Sequence, residues 1–423
     1  MLNIRSAFFK NVFVIFSGTV VAQVLNILSI PFITRLYGPE AYGMLGSFNA
    51  IATIFIPIVS LAYVYAIPLP KYDFISRNIV VKSLCIVILF SVSFFLLLTM
   101  NKALWDFFEV PIYFVFLMPI FFILSGVLQI NQQILIRKGL FSTFAKSTVA
   151  ASVVVITFKL VSGWVDPKGS YLITSLLIGA LVQILVSIYL NYDFWINYFS
   201  KFRDFKKSLF SSSLKKYNDF PKYRAPQLLL NPLSRSLPIF FLSYSFGLSV
   251  VGQYTLAISM LSLPAVVIGN AIGNVFLKKV TQEFNSGNDI YTLVLKTTGL
   301  LFLVGFIPFS IVYIWGESIF SVFFGEEWND AGTFASYIAI WQFFGFSNKC
   351  CTVTLPVISM NKLYFKFEVY SVFIRFLTLV ICFILSLSYV NTIMIFSMVG
   401  GVINFSLIIM VLFLLKVHYN DYQ

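Results

Sequence analysis

Four basic residues stand inside long apolar stretches of this sequence. They are Lys159, Arg235, Lys349 and Arg375, whereas the 16 acidic residues fall in polar segments or at the ends of apolar ones. A charge near the centre of a bilayer costs about 2.5–3.5 kcal/mol unless it lines a wet cavity or meets an opposite charge. With no carboxylate inside the same stretches, we expect an anionic ligand to supply that opposite charge.

Phosphate is the anion that these side chains hold well, since Arg binds it bidentately and Lys acts as a point charge. Arg235 lies near the middle of its stretch and is the hardest to explain by snorkelling. Lys159, Lys349 and Arg375 lie closer to an end, so their long stems could instead carry the charge to the interface. Arg35 ends the first stretch, where it could cap a helix or guard a cavity. A proton-coupled exporter of cationic drugs would instead need Asp or Glu within the membrane.

The composition identifies the solvent of these stretches as lipid. Apolar residues make up 59% and charged residues 11% of the 423-residue chain, whereas a soluble domain is about half apolar and a quarter charged. About 20 apolar residues in a helix cross about 30 Å of hydrocarbon. The sequence therefore predicts an all-α integral membrane protein with about twelve spanning helices. The predicted spans are 12–34, 41–67, 79–100, 114–136, 145–164, 170–190, 223–245, 252–276, 292–315, 332–357, 364–388 and 392–415.

The basic residues of the loops predict an orientation. With the N-terminus in the cytoplasm, twenty-two of the 29 Lys and Arg residues fall in cytoplasmic loops or helix margins, and three fall outside. Cytoplasmic loops of membrane proteins carry this excess of Lys and Arg, so both termini are predicted to be cytoplasmic. The net charge of +13 thus needs no nucleic-acid partner.

One long polar segment, 191–222, divides the spans into six and six. Its seven basic residues stand among aromatic ones, which predicts either a cytoplasmic linker or an amphipathic surface helix docked on anionic headgroups. The predicted organisation is an N-terminal lobe at 1–190 and a C-terminal lobe at 223–423.

The two halves share a motif and a polar helix face. Residues 37–43 and 246–252 both read aromatic-Gly-x-x-x-x-Gly between two spans. Polar residues in the preceding spans recur at helical spacing, which puts each set on one face. They are Thr19, Gln23 and Asn26 in the first span, and Gln227, Asn231, Ser234 and Arg235 in the seventh. These features predict parallel six-helix repeats related by a pseudo-two-fold axis, a common transporter plan with the substrate site between halves.

The sequence contains no residue pattern that indicates catalysis or cofactor binding. It contains no Gly-rich phosphate loop, its one histidine is His418 near the C-terminus, and its four cysteines lie in or beside apolar runs. No cluster of His, Cys, Asp or Glu has metal-ligand spacing. We therefore expect no metal, no cofactor and no enzymatic activity.

Three segments resemble those of a known family. Residues 35–43 (Arg-Leu-Tyr-Gly-Pro-Glu-Ala-Tyr-Gly) follow the first span, and residues 246–257 follow the seventh. Residues 324–331 (Phe-Gly-Glu-Glu-Trp-Asn-Asp-Ala) separate the ninth from the tenth. In this order they resemble segments of the Wzx-type O-antigen and capsule-unit flippases, in the multidrug/oligosaccharidyl-lipid/polysaccharide exporter superfamily.

That resemblance implies two six-helix lobes in a V around a central cavity. It implies a cargo of undecaprenyl-diphosphate-linked oligosaccharide, moved across the bacterial cytoplasmic (inner) membrane by alternating access, with a polysaccharide polymerase and chain-length machinery as partners. Arg35 and Arg235 best match the cavity cations of the family, with Lys159, Lys349 and Arg375 beside them. Polar residues would meet the glycan, namely Gln23, Asn26, Asn231, Asn270 and Asn274. No interior carboxylate is found for ion coupling, so the coupling ion stays open.

Two alternatives remain at this point. A lipid II or teichoic-acid exporter of the same superfamily would carry a similar lipid-linked phosphate. A glycan polymerase or ligase would also be polytopic, but such enzymes typically carry a large external loop. The external loops predicted here are short, the longest being about 316–331, which favours transport.

Overall fold

The protein is described by a computed structural model that covers residues 2–101, 111–200, 217–264 and 270–420, and every regular element in those ranges is helical. Its contacts divide the chain into two units, Met1–Ser236 and Leu237–Gln423. The helices of the first unit are α1 (Leu2–Leu36), α2 (Pro39–Phe55), α3 (Asp73–Met100), α4 (Tyr113–Lys138), α5 (Phe141–Val165), α6 (Gly169–Leu190), α7 (Tyr192–Ser200) and the first half of α8 (Ala225–Phe246). The second unit holds the rest of α8, α9 (Leu248–Pro264), α10 (Asn270–Asn285), α11 (Ile290–Phe324), α12 (Asn329–Ser347), α13 (Lys349–Val357), α14 (Asn361–Ile384) and α15 (Tyr389–Asn420).

Nine helices of the described residues are long and apolar enough to cross a membrane. The seventh and tenth predicted spans and the described residues of the eighth are helical too, but they fall short of that criterion. Polar side chains interrupt α8, α9 has only 17 residues, and the tenth span is divided into α12 and α13 around Asn348. The predicted all-helical, multi-pass architecture is confirmed for the described residues, and two of the three spans that fall short carry Arg235 and Lys349.

The second predicted span, 41–67, is not one helix. α2 ends at Phe55, and the chain continues through a 3-10 turn at Ile56–Ile58 and another at Tyr63–Ala66. Pro57 lacks an N–H group and its ring crowds the preceding turn, so the α-helix stops before it. Leu61 and Ala62 then take left-handed backbone angles, with φ of 49° and 61°. We call residues 56–72 the unwound segment.

Side chains satisfy the carbonyl groups that this break exposes. Gln129 of α4 donates to the Ile56 carbonyl at 3.1 Å. Ser76 donates to the Ile67 carbonyl at 2.8 Å. Arg137 Nη1 lies 3.0 Å from the Pro68 carbonyl and 2.7 Å from that of Pro70. Irregular backbone at membrane depth is tolerated only where the protein or water supplies such partners, so α3 and α4 together make the unwound segment possible.

An aromatic cluster holds the unwound segment against both ends of the polar linker. Trp195 and Tyr198 of α7 are buried beside Tyr63 and Ile67, and Tyr217 joins them from the far end of the linker. Burial raises the pKa of Tyr198 to about 12, so its hydroxyl stays neutral. Six of the seven linker cations lie at 201–216, outside the described residues. The docking of the linker on anionic headgroups therefore stays a prediction.

Two further boundaries differ from those predicted. The segment 316–331 is not a loop, because α11 continues to Phe324 and only Gly325 and a 3-10 turn at Glu326–Trp328 separate it from α12. The predicted end of the ninth span falls at Trp315, which is a kink with φ of −116° inside α11. The apolar run ends at this kink, but the backbone hydrogen bonds of the helix do not.

The internal repeat is visible in the register of the helices. When the two glycine motifs are aligned, α2 and α9 begin and end at corresponding residues, and both have 17. Met44 and Gln253 then occupy the same position. Met44 Sδ accepts a hydrogen bond from Tyr113 at the start of α4, and Gln253 accepts one from the backbone of Ala331 at the start of α12. Each half thus joins its second and fourth predicted spans at the same point.

Replacing Arg137 with Ala tests the role of α4 in supporting the unwound segment. The variant leaves several backbone carbonyls without their donor, and we expect the unfolding free energy to fall by about 1–3 kcal/mol. Lys138→Ala is the matched control, because Lys138 makes only a partly exposed ion pair with Asp73, worth at most about 1 kcal/mol. Thermal unfolding of the purified protein measures both, and equal losses would contradict the assignment.

Candidate functional site

A polar face runs from the end of the π-helical turn Phe220–Arg224 along the first half of α8. Arg224, Gln227, Asn231 and Arg235 follow one another at intervals of three and four residues, and all four side chains are exposed. Arg224 Nη1 donates to Gln227 Oε1 at 3.0 Å. At a rise of 1.5 Å per residue the face is about 16 Å long. We call these four residues the α8 polar face.

The contacts of α8 give the depth of this face. At one end, Ala225 packs against Ile58 and Ala62 of the unwound segment. At the other end, Ser236 donates to the carbonyl of Ala50 at 3.3 Å. Ala50 lies eleven residues after Pro39, the start of α2, so Arg235 lies beside the middle of a spanning helix. An exposed guanidinium group at that depth must face water or an anion, because contact with hydrocarbon would be too costly.

Lys82 is one of the basic residues that the sequence assigns to cytoplasmic loops and helix margins. It lies nine residues inside α3, because α3 begins at Asp73 rather than at residue 79. Lys82 Nζ lies 2.9 Å from the hydroxyl of Tyr63 and 4.0 Å from the centre of its ring. Attraction to the ring face and a hydrogen bond together hold this ammonium group against the unwound segment. Lys82 follows Asp73 by nine residues in the sequence, and this spacing could have indicated that Lys82 lies inside the helix rather than at its start.

Arg35, Lys159 and Asn26 lie on the helix pair α1–α5. Arg35 is exposed in the last turn of α1, and Lys159 is half-buried on α5. The hydroxyl of Tyr37 lies 3.1 Å from the carbonyl of Lys159, which places both cations at one end of the pair. Asn26 donates to Ser152 of α5 at 3.3 Å and to the Ala22 carbonyl at 2.9 Å. Asn26 therefore joins the two helices, whatever else it binds.

In the second unit, Arg375 and Lys349 belong to packed surroundings. Arg375 is 8% exposed, and its guanidinium carbon lies 5.2 Å from the ring centre of Trp341. Lys349 begins α13 and is half-buried. Its side chain passes over Gly273 of α10, where an added Cβ would come within 3.4 Å of Lys349 Cε. Both cations are thus oriented by neighbouring helices.

Two other expectations about polar residues need comment. Glu368 is half-buried about two turns inside α14, so acidic residues are not confined to loops and helix ends. The reason is again an early helix start, at Asn361 rather than at residue 364. Gln23 is half-buried on α1. The side chains of Asn270 and Asn274 lie outside the described part of the chain.

The residues that carry the family resemblance hold helices together. Tyr37 is fully buried, and its ring occupies the space that a Cβ on Gly163 would need, at 2.6 Å. Gln253 Nε2 donates to the carbonyl of Glu327 at 2.6 Å, and Gln253 Oε1 accepts from the Ala331 N–H group at 2.9 Å. The second motif therefore clamps the third. Gly247 has φ of +82°, which favours glycine at the turn between α8 and α9.

The family of this chain follows from a comparison of its sequence with known protein families. The family described as polysaccharide biosynthesis protein matches residues 32–333, which include all three motifs and the α8 polar face. The chain belongs to the polysaccharide biosynthesis protein family. No curated protein matches the sequence.

The fold is that of solved transporters of the MOP superfamily. An inward-facing multidrug resistance MATE family transporter is similar with a TM-score of 0.70 and 13% identity, over 95% of each chain. An outward-facing one has a TM-score of 0.59 and 13% identity, over 98% of this chain and 96% of the other. A MOP superfamily transporter from Pyrococcus furiosus, described as having a binding pocket of reversed polarity, has a TM-score of 0.61 and 14% identity over 98% and 95%. At these identities the likeness establishes a multi-pass transporter fold.

Replacing Gln253 with Leu tests the clamp between the second and third motifs. The variant leaves the Glu327 carbonyl and the buried Ala331 N–H group without partners, so the unfolding free energy should fall by about 1–3 kcal/mol. Gln282→Leu on α10 is the control, because Gln282 is exposed and such surface changes stay within about 0.5 kcal/mol. Thermal unfolding compares the two, and a Gln253→Leu variant as stable as the control would refute the clamp.

Proposed function

We propose that this protein is a flippase that moves undecaprenyl-diphosphate-linked oligosaccharide, an O-antigen or capsule repeat unit, from the cytoplasmic to the periplasmic leaflet by alternating access. The observation that carries the proposal is Arg235, an exposed guanidinium group beside the middle of α2. Membership of a polysaccharide biosynthesis family and a transporter fold support it.

The chemistry of the α8 polar face suits such a cargo. Arg235 would hold the diphosphate bidentately, which is the geometry in which guanidinium groups bind phosphate best. The amide groups of Gln227 and Asn231 can donate to and accept from sugar hydroxyls. Arg224 stands at the other end of the face, where a second charge can meet the same cargo. The polyprenyl tail would stay in lipid, because it is hydrocarbon.

The other candidate residues take supporting roles in this proposal. Arg35 and Lys159 would meet the diphosphate near the periplasmic end of α1 and α5. Lys349 and Arg375 would add positive charge from the second half, and Asn26 would contact the glycan. The interior is then cationic on balance, with Glu368 as a carboxylate through which a coupling ion could act.

The proposal also includes a location and partners. The protein would be a non-enzymatic component of the bacterial inner membrane, with both termini in the cytoplasm. It would deliver its cargo to a polysaccharide polymerase and chain-length machinery on the other side.

Replacing Arg235 with Ala tests the function. The loss of a charge-assisted contact with the diphosphate should lower surface polysaccharide about 10- to 100-fold in cells that depend on this gene. Arg235→Lys should retain part of the activity as a point charge. Lys366→Ala is the matched control, because Lys366 is an exposed cation on α14 outside the polar face.

Transport of a fluorescent undecaprenyl-diphosphate oligosaccharide by the reconstituted protein gives a direct readout. Arg235→Ala should lower it by the same factor of about 10 to 100 while leaving the protein level unchanged. Normal polysaccharide at a normal protein level would remove Arg235 from the mechanism. Faster transport of lipid II than of the oligosaccharide would replace the proposed cargo with a peptidoglycan precursor.

A further inference from the structure

An apolar groove lies between α11 and α15 on the flank of the second unit. Its volume is about 650 Å³. Residues of both helices line it, and most of them are exposed. They include Leu295, Leu300 and Leu303 of α11, and Phe405, Ile408 and Leu412 of α15. The groove belongs to neither the α8 polar face nor the surroundings of Arg375.

The two helices that line the groove, α11 and α15, both pack against α12. Phe302 of α11 lies 4.5 Å from Phe343 between ring centres, and Phe405 of α15 lies 5.3 Å from Phe344. Gly299 keeps the groove open, because a Cβ added there would meet nothing within 4 Å. The absence of a side chain at Gly299 therefore helps to form the depression between α11 and α15.

Positive charge stands at one end of this groove. Lys296 lines it directly, and Lys416 lies one turn beyond Leu412 on α15. Both lysines are exposed, and no ion pair of the described residues involves either. The nearest carboxylate along α11 is that of Asp289, which caps the helix by accepting from Tyr291 N at 2.8 Å. The two ammonium groups are thus available to an anion.

The dimensions of the groove match one leaflet of a bilayer. From Leu295 to Leu303 is about 12 Å along the helix, which is less than half of about 30 Å of hydrocarbon. A chain in the groove would be covered over part of one leaflet, with its head beside Lys296. In the orientation predicted from the loop charges, this is the cytoplasmic leaflet. Basic pockets between spanning helices on that side bind anionic lipid headgroups.

We propose that the α11–α15 groove binds one anionic phospholipid of the cytoplasmic leaflet. One acyl chain would lie over Gly299 on the rings of Phe302 and Phe405, and the phosphate would lie between Lys296 and Lys416. The length of the groove selects a phospholipid over a polyprenyl cargo lipid, whose tail is far longer than the apolar surface available. The site is therefore separate from the transport pathway proposed for the cargo.

Native mass spectrometry of the purified full-length protein tests the site. The probes are phosphatidylglycerol and phosphatidylethanolamine with the same acyl chains. We expect wild type to retain phosphatidylglycerol in preference. Lys296→Ala and Lys416→Ala should each lower its retention about fivefold, and the double variant about 30-fold. Lys362→Ala, which removes an exposed cation from α14, should retain phosphatidylglycerol as wild type does.

Gly299→Leu tests the acyl-chain half of the site. The new side chain has open space to enter, so the protein should fold, but it would fill the groove and lower retention of both lipids. Equal retention of the two lipids by wild type, an unaffected double lysine variant, or unchanged binding in Gly299→Leu would each overturn the proposal. Displacement of phosphatidylglycerol by polyprenyl phosphate would identify the occupant as the cargo lipid and would also overturn it. Arg235→Ala should bind phosphatidylglycerol normally, which separates this site from the proposed transport function.

Discussion

Hydrocarbon cannot hydrogen-bond, so each backbone group and each charge within the spans must find its partner in the protein, in enclosed water or in a ligand. Helices meet this demand for most of the chain. The unwound segment after α2 meets it through side chains, since Gln129, Ser76 and Arg137 bind its carbonyl groups. The break in the helix therefore depends on hydrogen-bond donors from α3 and α4.

The same constraint sorts the interior cations into two kinds. Lys82 and Arg375 each lie against an aromatic ring, of Tyr63 and Trp341 respectively, and so are stabilised by the fold. Arg235 is exposed beside the middle of α2, where only water or an anion can stabilise it. A cation of the second kind is suited to bind a ligand that comes and goes, because no protein contact has to be broken first.

Family likeness and function rest on different residues of this protein. The signature residues Tyr37 and Gln253 are buried and join helices, so they report a shared architecture. That architecture also occurs in MATE transporters at 13% identity. What a transporter of this fold carries is decided by the side chains exposed within the spans. Here those of α8 are cationic and amide-bearing, which is the basis for proposing a phosphate-linked glycan.

Composition and spacing by themselves determined the membrane class, the all-helical multi-pass architecture and the matching register of α2 and α9, because apolar length and glycine motifs are local properties of the chain. The central position of Arg235 followed from the same information. Only the tertiary structure decided how the carbonyl groups exposed after α2 are satisfied, since their hydrogen-bond donors come from α3 and α4. It alone also distinguished exposed Arg235 from stacked Arg375, and revealed Lys82 on Tyr63. Whether a cation is satisfied depends on side chains from other helices, and no local pattern of residues records that contact.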